Sequence, residues 1–160
     1  MIQDAELLIT AAVVEVFSTM LNVKARSVPP VEGFLDGQPQ IVSAVGFTGA
    51  ATGVVYLYTT AQFARHITAG LLGLSPAEIQ TDETDEMVND TMGEIANMVV
   101  GQIKSRISDR GLRCVLTIPS IVRGSQLTIE PVSNTERHRC AFDCGQGPLL
   151  VEMLLKPNEV

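Results

Sequence analysis

From Asp90 to Ser108 the chain writes a strongly apolar helix carrying one narrow polar stripe. At about 100° per residue, Asp90, Glu94, Asn97, Gly101, Lys104 and Ser108 fall within an arc of roughly 80°. Met87, Val88, Met92, Ile95, Ala96, Met98, Val99, Val100, Ile103 and Ile107 cover most of the remaining circumference. A helix patterned this way must sink into protein on most sides and show only a thin line of carboxylate and carboxamide. Thr84 is the expected N-cap, Asp85 and Glu86 complement the positive end of the dipole, and Arg110-Gly111 should stop the helix after Asp109.

The stripe is not what helix stability alone would select. Asp90 and Glu94 are like charges at i,i+4, which costs a few tenths of a kcal/mol. Gly93 and Gly101 each cost about 1 kcal/mol relative to alanine in a helix interior. Two readings stay open at this point. The glycines let another helix, such as the first one, pack closely and the polar line is merely solvated, or the surface must admit a partner's backbone or a phosphoryl site.

With 160 residues, the expectation is one domain spanning 1–160 with a substantial core. The hydrophobic fraction is 46%, yet no apolar run reaches the 18 or so residues of a membrane span. Asp4 and Glu6 stand where a secretory leader would carry lysine or arginine, so a cytoplasmic location without membrane association is expected. Cys114, Cys140 and Cys144 are an odd number, which argues for reduced, buried thiols rather than a disulfide framework. The formal charge of −7 opposes nucleic-acid binding, which needs a basic surface, and the absence of tryptophan opposes stacking platforms. A protein partner, or a substrate presented by one, fits better.

Apolar spacing predicts a first helix from Asp4 to about Val23, followed by an extended Ser27-Val-Pro-Pro connector. Ile41–Phe47 and Gly53–Tyr58 read as a hairpin, Thr60 to about Leu72 as a second helix, and Ser75-Pro76 as the start of a short helical turn. After the long helix, strands are expected at Leu112–Ile118, Ile121–Ile129, Arg137–Asp143 and Leu149–Leu155. Turns are expected at Pro119, Gly124, Pro131 and Gly145–Pro148. The halves look alike: a shift of 79 lays Glu15-Val-Phe-Ser18 over Glu94-Ile-Ala-Asn97, and Gly53-Val-Val-Tyr-Leu parallels Gly147-Pro-Leu-Leu-Val. The expected fold class is therefore α+β, built from duplicated helix-plus-strands units, with a largely antiparallel sheet and long helices packed against it.

Other chemistry is poorly supported. His66 and His138 are isolated, Cys140-x-x-x-Cys144 lacks companion zinc ligands, and no Gly-x-Ser-x-Gly elbow, P-loop or dinucleotide loop occurs. A self-contained enzyme with its own metal or nucleophile is disfavoured.

The chain resembles the CheC/CheX family of bacterial chemotaxis phosphatases, its CheX-like members most. The family pattern runs Asp or Ser, three residues, Glu, two residues, Asn, and a proline 22 positions on; Asp90, Glu94, Asn97 and Pro119 meet it. Glu15-Val-Phe-Ser-Thr-Met-Leu, Phe47-Thr-Gly49 through Gly53-Val-Val, Ala61-Gln-Phe-Ala-Arg and Ile118-Pro-Ser-Ile-Val-Arg-Gly124 agree with it, so the likeness runs along nearly the whole chain. The resemblance implies hydrolysis of the phosphoaspartate of a CheY-type response regulator. It implies that Asn97 orients the attacking water, that Glu94 engages the partner's lysine, and that Asp90 supports them. No cofactor of the chain's own is implied, because Mg²⁺ comes with the partner. A second Glu-x-x-Asn is reduced here to Glu15-x-x-Ser18, which implies one working site per chain. CheX-like members also form homodimers by strand exchange or addition, and the late strands are candidates for that. The alternative is a non-catalytic adaptor of the same fold that binds a response regulator or flagellar-switch protein without turning it over.

Overall fold

The computed structural model describes residues 2–35, 37–131 and 134–156. Among these residues, three helices and seven strands follow in the order α1 (Ala5–Leu21), β1 (Arg26–Val28), β2 (Pro39–Gly49), β3 (Gly53–Thr60), α2 (Ala61–Leu72), α3 (Asp85–Ser108), β4 (Cys114–Leu116), β5 (Ser120–Ser125), β6 (Glu136–Asp143) and β7 (Pro148–Leu155). Two single 3₁₀ turns, Pro76–Ile79 and Asp82–Thr84, lead into α3. All strand pairings are antiparallel, and the sheet runs β1-β6-β7-β3-β2-β4, with β5 also on β2. The α+β reading from the sequence agrees with this architecture.

The duplication is written into the strand order. β3 and β7 pair at the centre from Gly53↔Leu155 to Thr59↔Leu149, and each is flanked by its own hairpin partner, β2 or β6. Each half then lends its first strands to the other half's edge. β1 adds to β6, whereas β4 and β5 add to β2. Exchange of edges between halves ties them into one sheet, and α1 packs on α3 above it.

One face of the sheet carries the main core. Ile41, Val45, Phe47, Val55, Leu57, Phe142, Val151, Met153 and Leu155 alternate toward the three helices, as a period of two requires. α3 contributes Val88, Met92, Ile95, Ala96, Val99, Val100, Ile103 and Ile107, all buried, so its apolar side anchors the helix along its whole length. The opposite face holds a smaller cluster of Leu35, Val42, Tyr58, Ala141 and Leu150, covered by Phe34, Leu127 and Ile129.

Several boundaries differ from expectation for identifiable reasons. The turn predicted at Pro119 is a bulge: between the pairs Phe47↔Leu116 and Ala44↔Ser120, Thr117, Ile118 and Pro119 oppose only Gly46 and Val45. Thr117 anchors it, donating its N–H to the Gly46 carbonyl (2.8 Å) and accepting the Gly46 N–H on Oγ1 (2.9 Å). The strand expected to reach Ile129 ends at Ser125, because Gln126 turns into the left-handed region (φ 56°) and redirects Leu127 and Ile129 onto the far face. Gly124, expected in a turn, pairs with Gln40 inside β5. The connector around Ser27 proves to be a strand on β6. Thr84 precedes α3 but does not cap it, since its hydroxyl donates backward to the carbonyls of Thr81 and Ile79. Met87, assigned to the apolar side, is 41% exposed.

Candidate functional site

Burial of α3 on three sides leaves Asp90, Glu94 and Asn97 exposed on the fourth. Residues three and four apart are neighbours on a helix surface, so the acid and the carboxamide stand side by side on successive turns. Among the described residues none of the three has a hydrogen-bond or ion-pair partner. The carboxylates and the amide are therefore uncommitted to the chain's own fold. The rest of the predicted stripe differs: Gly101, Lys104 and Ser108 are only half-buried rather than open, toward the end where α3 meets α1.

Beside the exposed stripe lies an open groove of about 430 Å³, lined by Asn89, Asp90, Gly93, Glu94, Asn97, Pro119 and Ile121. One wall is α3 and the other is the bulge leading into β5. This explains why a proline 22 positions beyond Asn97 belongs with it: the bulge turns Pro119 off the sheet and against the helix. A β-bulge often serves to re-aim a side chain in this way.

The two glycines separate the readings left open by the sequence. A Cβ at Gly93 would lie 3.5 Å from Pro119 Cγ and 3.8 Å from Ile121 Cδ1, which is ordinary contact, and a Cβ at Gly101 would meet nothing within 4 Å. Close approach by α1 therefore accounts for neither. Gly93 instead lies buried at the floor of the groove, where the absence of a side chain leaves the space between α3 and Pro119 unfilled.

The equivalent positions on α1 have a different fate. Arg106 Nη2 donates to Glu15 Oε2 at 2.9 Å, and Arg106 Nη1 donates to Gln102 at 3.0 Å. Glu15 is thus engaged in holding α1 to α3, and Ser18 is exposed beyond it.

Sequence reasoning missed two residues at the groove. Asn89 lines the same groove, but at about 100° per residue it falls roughly 60° outside the stripe that the sequence singled out. Arg123 lies in β5 and holds the groove's second wall: Nε donates to Asn89 Oδ1 (2.6 Å), Nη2 donates to the Asp85 carbonyl (3.0 Å), and Nη1 sits 3.4 Å from Asp85 Oδ1. No local pattern announces a contact across 34 residues of chain. The described residues contain no group of three or more His, Cys, Asp or Glu side chains placed to hold a metal. Cys114, Cys140 and Cys144 are buried free thiols; burial raises the pKa of each, that of Cys144 to about 12. No described helix is long and apolar enough to cross a membrane.

Comparison with known proteins points the same way as the fold. The chain is 21% identical over 120 residues, 74% of its own length and 75% of the relative's, to the CheY-P phosphatase CheX of Thermotoga maritima. The crystal structure of a chemotaxis protein CheX from Desulfovibrio desulfuricans superposes with a TM-score of 0.79 at 23% identity, covering 96% of this chain and 99% of that one. A CheX-CheY-BeF3-Mg²⁺ complex from Borrelia burgdorferi matches with a TM-score of 0.75 at 20% identity, over 96% and 99% of the two chains. The family described as chemotaxis phosphatase CheX matches residues 41–143, well over half of the sequence, and the chain belongs to that family.

Proposed function

We propose that this protein hydrolyses the phosphoaspartate of a CheY-type receiver domain, with Asn97 and Glu94 as the working side chains. One observation carries the reading: an acid and a carboxamide, unpartnered and exposed, project from a helix whose other sides are fixed in the core, beside a groove open to a visitor. The acyl phosphate is already reactive, so placing a water in line and excluding others supplies much of the acceleration. Asparagine suits that task because its amide offers a donor and an acceptor without charge, and so enters an anionic site without repulsion. Glu94 would be repelled by phosphate and instead meets a cation, the lysine of the partner's site, which sets the register of the complex. Asp90, one turn earlier, supports that contact.

The relative in the Borrelia complex is bound to CheY with BeF3 and Mg²⁺, which supports a receiver domain as partner and supports Mg²⁺ arriving with that partner. The chain's own groove offers Asp90 and Glu94 but no clustered ligand set among the described residues. We further infer one working site per chain, because Glu15 is held by Arg106 and Ser18 is shorter than an amide. A cytoplasmic setting, a single domain over 1–160 and a homodimer joined through the sheet edges belong to the same proposal.

The test is loss of phosphoryl label from CheY-type receiver domains, with the protein at sub-stoichiometric ratio. Turnover is expected for the wild type, and a fall in kcat on the order of 10²-fold for Asn97→Ala, as for removal of one transition-state donor. Stable binding without release would replace the phosphatase reading with that of an adaptor.

A further inference from the structure

The geometry points to Asn89 as an additional docking residue of this site, one that donates its side-chain amide to a main-chain carbonyl at the rim of the partner's phosphoryl pocket, with Arg123 as the residue that positions it; we propose this on the footing of the phosphatase reading above. Asn89 lines the groove on the same floor as Gly93 and Asn97. At about 1.5 Å of rise per residue, eight residues separate Asn89 from Asn97 by about 12 Å. That is too far for both to reach one phosphoryl group, so Asn89 acts on the surroundings of the reaction and not on the water.

Its orientation is fixed by chemistry. Arg123 Nε–H is a donor only, so the Asn89 atom 2.6 Å away has to be the amide oxygen. The NH₂ group is thereby directed away from Arg123, and it has no acceptor among the described residues. Arg123 is itself over-determined: Nη2 donates to the Asp85 carbonyl and Nη1 faces the Asp85 carboxylate, which Arg65 approaches from α2 at 3.5 Å. Among the described residues Arg123 supplies every polar tie between β5 and α3. The same guanidinium therefore sets the width of the groove and the direction of the amide. The neighbouring charges choose the acceptor. Arg65 and Arg123 offset Asp85, but Asp90 and Glu94 have no cationic partner among the described residues, so the exposed rim repels a partner carboxylate and accepts a neutral carbonyl oxygen.

The experiment uses the full chain and a panel of CheY-type receiver domains phosphorylated with a small-molecule phosphodonor, and follows the one that the wild type turns over. Asn89→Asp keeps the shape and the Arg123 contact but removes the donor. It should raise KM at least about 5-fold, the loss of one hydrogen bond plus repulsion between two acceptors, with kcat within about 2-fold and thermal melting near wild type. Arg123→Lys keeps a charge near Asp85 but releases the amide, and should raise KM likewise; it serves if the aspartate variant folds poorly. An unchanged KM in a folded variant of either kind overturns the role of Asn89 while leaving the phosphatase reading intact, provided that Asn97→Ala still lowers kcat. Failure of the wild type to turn over any phosphorylated receiver domain overturns both.

Discussion

Replacing Gly93 by alanine asks the fold directly why a glycine stands in the middle of a buried helix. Helix propensity alone favours the change by about 1 kcal/mol. Sterically nothing opposes it: the added methyl would touch Pro119 at 3.5 and 3.6 Å and Ile121 at 3.8 Å, distances at which dispersion is attractive. Gly101→Ala provides the reference, since its methyl meets nothing within 4 Å and lies outside the groove. Both variants should therefore melt higher than the wild type, by about 2–4 °C for 1 kcal/mol in a chain of this size. They should part company in function. At Gly93 the methyl rises from the floor of the groove between Asn89, Asp90 and Asn97, so KM for a phosphorylated receiver domain should rise several-fold, on the order of 1 kcal/mol of lost fit. At Gly101 it should stay put. Scanning calorimetry together with steady-state phosphate release measures both quantities. A lower melting temperature for Gly93→Ala would show that the chain's own packing demands the glycine, and would remove the reason for assigning it to docking in the groove.

Two further outcomes follow from charges away from the groove. His138 is 13% exposed and lies between Glu6 (2.9 Å) and Glu136 (2.7 Å), tying β6 to α1; burial alone would lower its pKa, but the hydrogen bonds and charges of the two carboxylates outweigh it and the net shift is upward. A raised folded-state pKa means stabilisation that is complete below about 6.5, the unfolded value, and is lost as pH climbs through the folded value. His138→Gln should therefore flatten the decline in melting temperature above neutrality, and an identical pH profile for both proteins would refute the tether. Glu152 is 1% exposed, with its Oε2 accepting from Arg137 Nε at 2.8 Å and lying 3.3 Å from Arg139 Nε. Arg137→Ala should cost about 2 kcal/mol in urea unfolding. That is less than the ~3–5 kcal/mol of a fully buried broken pair, because Arg137 is 39% exposed and Arg139 remains. No loss would mean that Arg139 alone neutralises the carboxylate.

What the sequence disclosed, and what it concealed, divides by the range of the interaction. The apolar period of α3 predicted which side would be buried, and so put Asp90, Glu94 and Asn97 together on the surface. β2, β3, β6 and β7 were legible as β-branched, aromatic and apolar runs set off by turn residues, and each of these strands packs one face on the main core. β1 was not, because Arg26-Ser-Val has no apolar alternation and is held to β6 by backbone pairing and the Arg26–Asp143 ion pair. The bulge at Pro119 read as a turn, since proline and a break in pattern look alike whether the chain reverses or merely kinks. Arg123 and Asn89 were invisible together: 34 residues apart, they meet only because β5 joins the opposite half's edge strand beneath α3. Glu152, inside an apolar run, gave no hint that two arginines of the neighbouring strand would neutralise it.

Division of labour on α3 is tested most directly by titrating Asn97→Ala with an Mg²⁺- and beryllofluoride-loaded receiver domain while measuring its turnover on the phosphorylated form. If the amide serves the attacking water and Glu94 the docking, the dissociation constant should stay within about 3-fold of wild type while turnover falls on the order of 10²-fold. Turnover that persists at the wild-type rate, or that falls only in proportion to lost binding, would contradict the assignment.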